Sequence, residues 1–296
     1  MQRTHTYRVA VMAITIGILA AACGPRPSPG PPPPPPPAPV EARFVSRCTF
    51  SHAATDDPIV FPGQPGVSHL HQFLGNVTTN ASSTYDSLRA APATTCTPNA
   101  DKAAYWAPAL LVSGTPVSPQ LVSFYYRGTR ATYQQVVPFP AGLRFIAGDS
   151  HATAPQGAIT SWSCVDNAGN ASLTAAEVPT CPPGTIVRFR LTFPNCWDGV
   201  NLDSTDHKSH MSYAVNGRCD VGHPVVVPQI EMLARFPTQG GPGVTLSSGG
   251  QYSVHADFFN AWDQDVLASR VATCINAGLA CEANGLPIAG VAGAPT

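Results

Sequence analysis

The window from Cys196 to His223, CWDGVNLDSTDHKSHMSYAVNGRCDVGH, gathers Asp198, Asp203, Asp206 and Asp220 with His207, His210 and His223, in a chain of which only 11% is charged. Within LDSTDHKSHMSY, Asp203, Asp206, His207 and His210 are close enough to converge whether the segment is a turn or one helical coil. Imidazoles and carboxylates are the ligand set of zinc, copper or iron sites where thiolates are not to be had. They also move protons, an aspartate acting as base on water and a histidine as acid. A third use is hydrogen bonding to sugar hydroxyls, with Trp197 or Trp262 as a stacking platform. The same residues can instead form a satisfied polar network that only fixes loops.

Two further clusters bear on the choice. In SHLHQF, strand alternation puts His69, His71 and Phe73 on one face, and in QYSVHADFFNAW it puts His255 and Asp257 on one face. A pair of imidazoles two residues apart can chelate an ion or serve as hydrogen-bonded core residues. Three groups far apart in the chain, each with a histidine pair or a histidine and acid in same-face spacing, form the pattern a site assembled from several strands requires. The expected metal ligands are therefore drawn from His69, His71, His207, His210 and His255, with Asp203, Asp206 or Asp257 handling protons. The expected cofactor is one divalent transition metal, zinc or copper. Trp106, which follows Tyr105, joins Trp197 and Trp262 as a candidate platform for a sugar or peptide.

The elements that must position these groups read mainly as strands. TIVRFRLTFP sends Val187, Phe189, Leu191 and Phe193 to one side and Arg188, Arg190 and Thr192 to the other, a half-buried antiparallel strand. LVSFYYRG, QQVVPFP, LRFIAGD, SWSCV and PVVVPQIEMLARF are further extended runs between Gly and Pro punctuation, whereas Ser87 to Leu110 reads as polar loop. One helix is expected near the C-terminus, with Asp263 as cap, a stripe of Trp262, Val266, Val271 and Ile275, and Gly278 as its end. The fold class is mainly β: a single β-sandwich or jelly-roll-like domain over 43–282 with long disulfide-stapled loops, then a disordered tail from 283 to 296.

Nine cysteines place the chain outside the cytoplasm. Cys23 closes an N-terminal segment with two arginines, a short apolar run and the small residues Ala20 to Ala22, which reads as a signal peptide over 1–22. Lipid modification of Cys23 would leave a membrane-anchored lipoprotein on the cell surface; ordinary cleavage after Ala22 would leave a freely secreted protein. Residues 23–42, rich in proline, form an extended tether of roughly 50 to 60 Å at about 3.1 Å per residue. The other eight, Cys48, Cys96, Cys164, Cys181, Cys196, Cys219, Cys274 and Cys281, predict four bridges and no thiolate metal site, with Cys196–Cys219 and Cys274–Cys281 as local loops. A net charge of −1 argues against a nucleic-acid partner. The membrane, through the anchor, and polysaccharide are the expected partners, and the expected state is monomeric.

Five stretches carry a resemblance: DPIV with the following PG and SHLHQFLGN, TTC followed by DKAAYW, FPNCWDGVNLDSTDHKSHMSY, CDVGHPVVVPQIEM and HADFFNAW. Together they resemble the DUF1996 domain, found in exported proteins of filamentous fungi and actinomycetes, over most of Arg43 to about Gly278. The resemblance implies a cell-wall or glycan context, because fungal members are sometimes joined to wall-binding modules; it implies no activity and no catalytic residues. Two departures stand out. Ala256 occupies a position where fungal relatives carry Gly, and Ala103 stands where some relatives have a serine hydroxyl. The leading expectation is a metal-dependent hydrolase of envelope or environmental polysaccharide. Its rivals are a non-catalytic glycan-binding or wall-binding module and a scaffold whose polar network is structural.

Overall fold

Alternation in Ile186–Thr192 buries Val187, Phe189 and Leu191 and leaves Arg188 and Arg190 half-exposed, as a strand with one wet face should. The computed structural model describes residues 42–128 and 136–289. This strand is the third of a seven-stranded antiparallel sheet, ordered Ala171–Ala175, Thr160–Val165, Ile186–Thr192, Gln229–Phe236, Leu121–Arg127, Arg43–Cys48 and Cys96–Thr97. On its outer face Glu231 takes Arg127 and Arg190 at 2.6 and 2.8 Å. A five-stranded antiparallel sheet packs on the inner face, ordered Phe50–Ala54, His71–Gly75, Ala104–Pro108, His255–Phe259 and Arg144–Gly148. Tyr105 stacks on Phe124 with ring centres 3.8 Å apart, and Phe145 meets Phe193 edge-on at 5.8 Å, so aromatic residues from both sheets fill the space between them. The molecule is mainly β and sandwich-like.

A buried polar chain crosses this core. The Asp101 carboxylate accepts from the Ser46 hydroxyl at 2.5 Å, the Tyr105 hydroxyl at 2.9 Å and the Ala103 amide at 3.1 Å. Tyr105 bonds Tyr126, whose hydroxyl accepts from the Trp262 indole at 2.9 Å. Burial pushes the Asp101 carboxyl up to about 7.

The helix expected at the C-terminus runs Gln264–Arg270, its cap Asp263 accepting from the Val266 amide, and continues as a wider turn over Val271–Ile275. Gly278, at φ 71°, follows it. The segment read as loop differs from expectation. Its first residues belong to a short helix, Tyr85–Ala90, closed by a reciprocal Thr84 and Ser87 cap, and it contains the strand Ala104–Pro108. All five residues of that strand are buried, so it lacks the alternation by which a half-buried strand is recognised. Of QQVVPFP, expected as a strand over 134–140, residues 136–140 form none, Val137 donating one backbone bond to Val226, and Gln134 and Gln135 lie outside the described residues.

Four disulfides join Cys48–Cys96, Cys164–Cys181, Cys196–Cys219 and Cys274–Cys281. Arg43 and the last disulfide zip the two ends of the domain together, the Arg43 amide donating to Leu279 and its carbonyl accepting from Cys281. Of the tail, 283–289 turns back on Cys281, Ile288 donating to Ala280. The signal segment, Cys23, the proline tether up to residue 41 and 290–296 lie outside the described residues. Among those described, no helix is long and apolar enough to cross a membrane.

Candidate metal centre

The outer face of the five-stranded sheet carries the site. Phe73, Trp106, Asp257 and Ile146 are direct neighbours across four strands and so share one face. With a period of two, His71 and His255 point the same way two residues along. A small apolar cluster of Ile59, Phe73, Leu88, Trp106 and Phe259 seals this face from below. Gly148 stands opposite His255 at φ 80°, and a Cβ there would sit 2.5 Å from the Val254 carbonyl. Only glycine lets the edge strand approach so closely.

The histidines are held as ligands are held. His71 donates its Nδ1–H to the Asp56 carbonyl and His255 its Nδ1–H to the Ser253 carbonyl, both at 2.9 Å. A carbonyl only accepts, so each ring carries its proton on Nδ1 and turns the Nε2 lone pair inward. The Nε2 atoms of His255 and His69 lie 3.2 Å apart. Two ligands at about 2.0 to 2.1 Å from a tetrahedral ion are separated by roughly 3.3 Å. Burial lowers the basicity of all three rings: His255 falls to about 4 and His71 lies well below its ordinary value, with their mutual proximity adding to the effect. Burial thus favours the neutral form that ligation demands.

Beside them are two carboxyls. Asp57 Oδ1 accepts the amides of Ile59 and Val60 at 2.9 Å, and the Trp106 indole N–H acts on the same carboxylate without closing a bond of normal geometry. Asp257 is fully buried, and neither of its oxygens has a partner in the protein. Burial, then the charge of Asp57, pushes Asp257 well above the carboxylate range, while Lys208 pulls it back. Desolvation likewise raises Asp57. Two adjoining buried carboxyls resist joint ionisation unless a cation neutralises them.

Ligand atoms of His69, His71 and His255 lie within 4.8 Å of one another, and so do those of Asp57, His71 and Asp257. His71 belongs to both sets. A third grouping, Cys48, Cys96 and Asp101, is no ligand set, because its sulfurs form a disulfide. Of these groups Asp57, His69, His255 and Asp257 line a cavity of about 330 Å³ whose wall also includes Ser68, Asp149, Ser150, His151, Lys208 and Ser248, while His71 is fully buried and does not reach it.

The residues read from sequence divide accordingly. His69, His71, His255 and Asp257 meet. His207 and His210 do not join them, contrary to expectation: His207 Nδ1 pairs with Asp203 at 2.9 Å, and both nitrogens of His210 are engaged, by Ser204 at 2.7 Å and by the Arg144 carbonyl at 2.9 Å. Asp203 also takes Arg144 at 2.8 Å. Asp206 accepts from the Ser204 hydroxyl and the amides of Lys208 and Ser209, and the Ser209 amide foremost holds its carboxyl far below the usual range, which makes it a poor base. Trp106 and Trp262 are fully buried and Trp197 bonds the Asn201 carbonyl away from the cavity, so none offers a ring to a sugar there. Among the cavity residues that escaped the sequence reading are Asp149 and His151, Asp57, which sits in a turn with no periodicity, and Lys208, hidden among more conspicuous neighbours. The Asp-Asp-Pro run twelve residues before His69 was the available signal for Asp57.

No curated protein and no solved structure matches the chain. His71, His255 and Asp257 come from one face of one sheet, and Asp57 and His69 reach them from the connection that precedes His71; all five fall within residues 57–262, the span matched by the model for "Domain of unknown function (DUF1996)", and the chain belongs to that family.

Proposed function

We propose that the protein is an exported metalloenzyme in which His69, His71 and His255 hold a divalent ion, zinc first, and Asp257 or Asp57 takes the proton of an attacking water. The observation that carries this reading is the gathering, on one face of one sheet, of buried polar atoms with no protein partner, His71 Nε2, both oxygens of Asp257 and the Trp106 indole nitrogen, beside a cavity that Asp57, His69, His255 and Asp257 line. A bound ion would lower the pKa of its water to about 7, and a carboxylate beside it would complete the apparatus for hydrolysis. Envelope or environmental polysaccharide is the substrate class proposed, and four disulfides suit an extracellular setting. A scaffold reading fits the Asp101 chain, where each polar atom named has a partner, better than it fits this site. Elemental analysis of the purified full chain tests the reading: about one equivalent of transition metal is expected, falling below about 0.1 in His71→Ala and His255→Ala. Protein that binds no ion, with a thermal midpoint unmoved by chelator, would overturn it.

A further inference from the structure

The aspartates and histidines of Asp203–His210 turn away from the cavity, yet the loop is braced at many points. Arg144 donates its backbone amide to Leu202 and Ile146 its own to His207, which covers the free edge of the sheet. Asp206 holds the amides of Lys208 and Ser209, and His223 bonds the Ser209 carbonyl at 2.9 Å. What this bracing presents is Lys208. Its Nζ donates to the Gly148 carbonyl at 2.7 Å, and Gly148 is the residue opposite His255. Lys208 is exposed, makes no ion pair among the described residues, and is the single lysine or arginine on the cavity wall.

We propose that Lys208 anchors an anionic group of the ligand, so that the cavity takes acidic rather than neutral sugars, with a carboxylate, sulfate or phosphate seated between this ammonium and the histidine triad. The proposal rests on the preceding reading for the sugar, and on geometry for the charge. One ammonium proton is committed to Gly148; two remain for a ligand oxygen. An ammonium fixed by a rigid loop loses little freedom when it binds an anion.

Calorimetric titration of the full chain, zinc-loaded and separately chelator-treated, with glucuronate, glucose 6-sulfate, glucose 6-phosphate and glucose tests the idea. At least one acidic sugar should bind about tenfold tighter than glucose, which is about 1.4 kcal/mol. Lys208→Met should lose that margin, Lys208→Arg should keep it within about threefold, and added salt should weaken it. Which of the three acids binds best identifies the group. Equal binding of glucose and all three acids by the native chain would overturn the proposal, as would undiminished binding by Lys208→Met with native metal content and thermal midpoint. Absence of metal from the native protein sinks the metal reading alone, since a Lys208-dependent margin in chelator-treated protein still supports the anchor.

Discussion

Asp257 gives the residue scale its sharpest test, because its carboxyl is buried, unpartnered and raised in pKa by burial and by Asp57. Such a group destabilises the metal-free fold by about 1 to 3 kcal/mol. Asp257→Leu should therefore raise the thermal midpoint of chelated protein by several degrees, about 2 to 4 °C per kcal/mol at this size, while abolishing any increment from zinc. Calorimetric scans with and without metal check both halves. Asp101 titrates elsewhere in the core. Its proton is bound more tightly folded, near 7, than unfolded, near 3.8, so the stability it contributes at low pH is lost as pH rises from about 4 to about 7. That difference is on the order of 4 kcal/mol. Asp101→Asn should flatten the urea-derived stability against pH in this window relative to the native chain.

At the scale of elements, what was legible in the sequence and what was not separate on physical grounds. His71, His255 and Asp257 could be paired with the right face because each lies on a strand, where a period of two carries direction. Asp57 lies in a turn, and a turn has no period to read. The DHKSH segment misleads for another reason: a density of polar chemistry does not tell a ligand from a brace. His210 and His71 look alike as letters, and differ in that both nitrogens of one are bonded while the other keeps a free lone pair. The strand Ala104–Pro108 went unread because burial on both faces erases alternation, and its alanines are poor strand formers. The sandwich itself was readable from Ile186–Thr192 and its like. Gly148 sets a prediction at this scale. Gly148→Ala forces a Cβ against the Val254 carbonyl at a left-handed φ, so it should cost about 1 to 3 kcal/mol and lower zinc content by displacing His255. Denaturant titration and metal analysis of one sample would separate that from a purely local strain.

For the whole molecule, the bridges differ in reach. Cys48–Cys96 spans 48 residues and Cys274–Cys281 only 7. In a chain-entropy account the first restrains the unfolded state by about 4 kcal/mol and the second by about 2.5 kcal/mol. Paired Cys→Ala variants measured by chemical denaturation should rank in that order. Cys48–Cys96 also ties the outermost strand of the large sheet to its neighbour, which protects an edge open to association.

The joining of Arg43 to Leu279 and Cys281 brings the first strand beside the segment that follows the C-terminal helix. Such a molecule tolerates rewiring: a short peptide linking those neighbours, with new termini cut at the exposed Ser113–Gly114 hairpin, should yield a circular permutant that keeps all four bridges. Cleavage at that hairpin in the native chain should likewise leave two fragments held as one particle.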